Sequence, residues 1–201
     1  VTRTGSARTR PTPVGRSPRD GTGPERTEVA DGLGAVVLQP AEAPKITKLV
    51  DKFSGPQSGR NLSGNDGWEA LQANGLQKAY SNMFSSLETF GQPDPPGKPV
   101  IYIFNAAMLF GEPGGASKQL EWFRANAETG RHIRDVVFHP SDGLGEEAYV
   151  LEGTVTHSGK ARYGSAFRSG NLLHLISAHG DLTHTEFRAL AEAVASHKLG
   201  P

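Results

Sequence analysis

The most regular pattern of apolar and polar positions lies at the end of the chain. Thr183-His184-Thr185-Glu186 has the spacing of a capping box, in which a threonine hydroxyl and a glutamate three residues later satisfy each other's orphan N–H groups. Phe187, Leu190, Ala191 and Val194 then fall at i, i+3, i+4 and i+7, which predicts an amphipathic helix made to lie on a sheet. Upstream, Ile133 to Phe138, Ala148 to Glu152, Ala161 to Arg168 and Leu172 to Ala178 read as short strands divided by turn residues, spaced as an antiparallel meander. Gly114 to Thr129 predicts a helix with Leu120, Phe123 and Ala127 on its inner stripe, Trp122 beside it and Gly130 as its cap.

The first half is less regular. Val100 to Phe104 is a strand by its β-branched and aromatic content, and it is apolar on both faces, as a central strand would be. Leu76 to Leu87 reads as a strand with imperfect alternation. Gln92 to Pro99 carries four prolines and predicts a loop. A short helix opened by Asn65 or Asp66 presents Trp68 and Leu71 and stops at Gly75, behind a polar loop from Gln57 to Gly64. Ile46, Leu49, Val50 and Phe53 have helical spacing, so Pro44 to Phe53 predicts a first helix closed by Gly55-Pro56.

Before Pro44 no apolar period is sustained, and Pro11, Pro13, Pro18 and Pro24 interrupt the run. Such a segment cannot bury enough apolar surface to offset the entropy of ordering it. The expectation is a disordered arm over 1–43 and one domain over 44–201. The apolar fraction of 36% is concentrated in that domain. Lys+Arg and Asp+Glu both count 21, so no global field favours nucleic acid or acidic lipid. Six arginines between Arg3 and Arg26 are too dilute for a strong phosphate-binding tract. The absence of cysteine excludes disulfides, thiolate nucleophiles and Cys-ligated metals. No apolar run is long enough to span a membrane.

Enzyme signatures fail for particular reasons. There is no Gly-x-Ser-x-Gly elbow. Gly91 to Lys98 is misspaced for a phosphate loop, its prolines lack N–H donors, and Pro99 stands where magnesium needs Ser or Thr. Gly143-Leu144-Gly145-Glu146-Glu147-Ala148 fits a degenerate dinucleotide fingerprint, but a strand follows where a helix is required, so it predicts a turn. His174, His179 and His184 recur every five residues, with His157 nearby. Strand parity sends His174 and His179 to opposite faces, and likewise His132 and His139, so no metal site is expected. Trp122, Phe123 and Tyr80, with Phe84, could line a pocket for a small apolar ligand or could be ordinary core. Asn61-Leu62-Ser63 is a formal glycosylation sequon, a match too common to carry weight.

From Gly143 onward the chain resembles the exported lipoprotein and sensor-type domains of actinomycete bacteria. The resemblance rests on the Gly143-Leu144-Gly145-Glu146-Glu147-Ala148 turn, on Phe167-Arg168-Ser169-Gly170-Asn171 and on the closing Leu190-Ala191-Glu192-Ala193-Val194 helix. Asn74 to Tyr80 and the helix around Ala116 to Ala125 are similar to further parts of those domains. Glu146 replaces their usual aspartate. The resemblance implies an α+β fold, a twisted antiparallel sheet with helices packed on one face, used as a non-enzymatic extracytoplasmic module that binds or senses a small apolar ligand or an envelope protein. It implies no cofactor and no catalytic residue. Export to the cell envelope is the expectation; neither a signal peptide nor an anchor cysteine stands in the sequence as given, so a cytoplasmic location is the alternative. Two other functions compete: a metal-dependent hydrolase built from His174, His179 and Glu147, and a regulatory protein whose basic arm touches nucleic acid.

Overall fold

The structure, a computed structural model, describes residues 32–87, 98–129, 133–156 and 158–199; at positions 59, 61, 63–66 and 128 the description is of backbone alone. Eight strands form one antiparallel sheet: β1 (Lys48–Leu49), β2 (Gly55–Pro56), β3 (Leu76–Ser85), β4 (Ile101–Phe110), β5 (Ile133–His139), β6 (Glu147–Val155), β7 (Ala161–Ser169) and β8 (Leu172–Gly180). Their order is β1-β3-β4-β8-β7-β6-β5, with β2 also pairing β3. The expected meander is β5 to β8, and the β3–β4 hairpin is added beside β8. β4 lies between β3 and β8, the central place its two apolar faces predicted.

Besides a helical turn at residues 32–35, three helices among the described residues cover the sheet: α1 (Gly59–Ala73), α2 (Pro113–Thr129) and α3 (His184–Ser196). They are divided between its two faces. On the front, Leu71 of α1 and Ala116 and Leu120 of α2 pack on Met108, Phe110, Tyr149, Leu151, Ala166 and Leu173. Phe123 and Ala127 join that contact, so the predicted inner stripe of α2 is the observed one. On the back, Phe187, Leu190, Ala191 and Val194 of α3 pack on Val150, Tyr163, Phe167, Ile176 and Ala178. The capping box is present at the start of α3. The α+β class and the antiparallel sheet are as expected; the single covered face is not. Strands apolar on both sides, such as β4 and β8, need cover on both sides.

A second element shares the back face. Residues 32–38 begin with a helical turn and continue as a strap in which Leu33, Val36, Val37 and Leu38 have no exposed surface. Two buried asparagines hold it by its backbone: the Leu38 N–H donates to Asn105 Oδ1 (2.6 Å), and Asn82 Nδ2 donates to the Leu38 carbonyl (3.0 Å). Asn105 Nδ2 also reaches the Leu175 carbonyl at 3.0 Å. Residues 32–43 fall within the expected arm over 1–43, and Leu33, Val36, Val37 and Leu38 of this stretch are buried against the sheet. Residues 1–31 of the expected arm, most of the proline loop (88–97), Gly130, His132 and His157 lie outside the described residues.

Three local expectations are corrected. Pro44 to Phe53 is a turn, strand β1 and a short 3-10 helix at Asp51–Phe53, since the edge of β3 supplies partners such as the Met83 carbonyl to the Val50 N–H (2.8 Å). Of its would-be helix face, Ile46 and Leu49 are exposed, at 50% and 38%, while Val50 and Phe53 pack against Met83, Val100 and Tyr102. The loop expected from Gln57 to Gly64 is mostly the first turns of α1. β4 continues past Phe104 through Asn105-Ala106-Ala107 to Phe110. Those small residues are poor strand formers, but Ala107 makes room for the strap.

Candidate functional site

Two of the motifs that carry the resemblance, the Gly143–Ala148 turn and Phe167–Asn171, form one structural node. The Glu146 N–H donates to the Arg168 carbonyl (2.9 Å), and the Gly170 N–H donates to Glu146 Oε1 (3.1 Å). Arg168 bridges Glu146 (2.6 Å) and Glu147 (2.5 Å), and Ser117 of α2 donates to Glu147 at 2.5 Å. Arg168 and Ser117 hold the Glu147 carboxyl below its ordinary range, chiefly through the Arg168 hydrogen bond. Gly145 sits at φ +104°, and a Cβ there would meet the Arg168 carbonyl oxygen at 2.5 Å. The motif is thus a close crossing of a turn over β7, which only glycine permits. Glu147 is occupied in holding that crossing.

The histidines are scattered as parity requires. His174 lies on the back face, 2% exposed and stacked on Phe167 at 4.9 Å; His179 lies on the front, stacked on Tyr102 at 4.6 Å. His184 instead meets His139 at 4.6 Å and lies 6.0 Å from Tyr163. His139 approaches Glu152 at 3.4 Å in a hollow of about 460 Å³ beside edge strand β5. Among the described residues no His, Cys, Asp or Glu group is arranged to hold a metal ion. His174, His179 and Glu147 share no site.

The three aromatic candidates also separate. Tyr80 is on the back face, against the strap near Gly34, whereas Trp122 and Phe123 are on α2 over the front, with rings 5.5 Å apart. Phe123 packs in the core. None of the three lines the hollow that the front face leaves open.

That hollow lies where the ends of β4, β7 and β8 run out from under the helices. Pairing places Arg162, His179, Tyr102 and Ser85 in one lateral row, with Gly164, Ser177, Phe104 and Met83 in the next. The small Ser177 keeps the floor low. Phe53 and Leu62 complete the wall, enclosing about 330 Å³, near the lower end for ligand pockets. A second hollow of about 260 Å³ shares Phe53 and Phe104 and ends at Lys52, Gln57 and Ser81. Burial pushes the pKa of Arg162 down, with no carboxylate interaction to oppose it. Sequence reading passed over Arg162, although alternation along β7 places it on the same face as Gly164, Ala166 and Arg168.

No protein-family model matches the chain, and no curated protein matches it in sequence. In fold it is similar to the extracellular domain of PknH from Mycobacterium tuberculosis, with a TM-score of 0.57 at 10% identity over 83% of this chain and 94% of that one. An uncharacterised Rv0999 ortholog from Mycobacterium smegmatis aligns with a TM-score of 0.44 at 13% identity, over 83% of this chain and 96% of that one. The first likeness establishes the shared architecture. No helix among the described residues is long and apolar enough to cross a membrane.

Proposed function

We propose that this chain is a non-catalytic, sensor-like binding module of the bacterial cell envelope, working outside the cytoplasmic membrane, and that the front-face hollow is its ligand site. The observation that carries this reading is the front-face hollow itself, walled by the half-buried Phe53, Leu62 and Phe104 and floored by the buried Tyr102 beside Ser177. A concave, mostly apolar site with a few polar groups is the usual form of a small-molecule pocket. The fold likeness to an extracellular domain lends support to the extracytoplasmic placement. The hydrolase alternative loses its basis, because its three residues are dispersed and Glu147 is held by Arg168. A nucleic-acid role has no support from the balanced charge of the chain.

The test is an NMR titration with a panel of small molecules that have apolar bodies. The expected result is saturable shifts grouped at Met83, Tyr102, Phe104 and Ser177. Shifts confined to Trp122 and Tyr80, or hydrolysis of panel esters lost in Glu147→Gln, would refute the assignment.

A further inference from the structure

We propose that the front-face hollow takes a single-chain amphiphile with an anionic head, a carboxylate or a phosphate, held at Arg162; this rests on the reading of that hollow as a ligand site. The argument starts from a contrast within one strand. Arg162 and Arg168 both project from the front of β7. Arg168 is answered by two carboxylates and by the Gly170 carbonyl. Arg162 is half-buried and has no such partner among the described residues. A half-buried guanidinium without an acceptor is costly, and its fork of donors matches a carboxylate or phosphate bidentately.

The rest of the hollow sets the body of the ligand. From Arg162 on β7 the floor crosses β8 and β4 to Met83 on β3, three strand spacings or roughly 14 Å. Phe104, Leu62 and Phe53 wall that path, and the second hollow extends it past Phe53. A small hydrated anion would leave these walls unfilled, and an uncharged chain would leave Arg162 unanswered. One extended apolar chain with one anionic end satisfies both. The Tyr102–His179 stack beside Arg162 gives the head a flat, polar-edged neighbour.

The experiment titrates the full chain with decanoate, decyl phosphate and decanol, each below its aggregation concentration, by calorimetry with NMR mapping. The expected result is at least tenfold tighter binding of one or both anions than of decanol, with shifts at Tyr102, Phe104 and Ser177. Which anion binds tighter distinguishes a fatty-acid head from a phosphate head. Arg162→Met should reduce the anions to the decanol level, while Arg162→Lys should keep part of the preference. Equal binding of all three probes in the unaltered protein would overturn the anionic head and leave the ligand-site reading standing. Absence of shifts in the hollow with every probe would overturn this proposal and count against that reading as well. The comparison of probes needs no variant, so it holds even if Arg162→Met fails to fold.

Discussion

His174 ties the stability of this fold to pH. Its ring lies flat on Phe167 in the back-face core, its Nδ1 has no hydrogen-bond partner among the described residues, and its pKa is pushed from 6.5 to about 4, first by burial and then by the neighbouring charge of His197. Since the folded pKa is below the unfolded one, the unfolded chain binds more protons between them. Stability is therefore complete above pH 6.5 and falls as pH drops towards 4. Between pH 7.5 and 4.5 this one group should withdraw about 2–3 kcal/mol. The variant His174→Leu removes the titration and keeps an apolar group on Phe167. Urea unfolding of both proteins at half-unit steps from pH 7.5 to 4.5 measures the effect, and the difference between the two curves isolates it from the other histidines. The unaltered protein should lose about 2–3 kcal/mol more than the variant over that range. Parallel curves would refute the reading, since they would mean that His174 is charged in the fold or is not buried there.

Three further outcomes follow from packing and capping. Leu190→Ala on the inner face of α3 should cost about 2–5 kcal/mol, and Thr183→Ala, which removes only the cap, about 0.5–2 kcal/mol, both read from denaturant midpoints. A chain beginning at residue 32 should keep a cooperative melt, whereas one beginning at 44 should lose it or melt far lower, because it uncovers Ala107 and Leu172 and leaves Asn82 and Asn105 without the Leu38 backbone.

What was legible in the sequence was local. The capping box and face of α3 need nothing beyond fourteen residues, and parity alone separates His174 from His179. The strap was illegible because Leu33, Val36, Val37 and Leu38 form a brief apolar cluster next to a proline-rich run, and the partners that bury it are on β3, β4 and β8. Pro44 to Phe53 shows the reverse error. Its spacing suits a helix, but the open edge of β3 offered those backbone groups a better use. Arg162 could be placed on a face from alternation. That Arg168 is answered and Arg162, among the described residues, is not depends on Glu147 and Glu146, 21 and 22 residues upstream of Arg168, which spacing cannot show.

The strap also brings the two ends of the described fold together. Its start and the last described residues meet: Leu199 packs beside Leu33, a Cβ on Gly32 would lie 3.7 Å from Leu199, and His197 bonds Glu42 at 2.8 Å. Whatever polypeptide continues from either end departs from one patch on the back of the sheet, the side opposite Arg162 and Tyr102. The ends of the described fold and the front-face hollow therefore lie on opposite faces of the same central strands, β4 and β8.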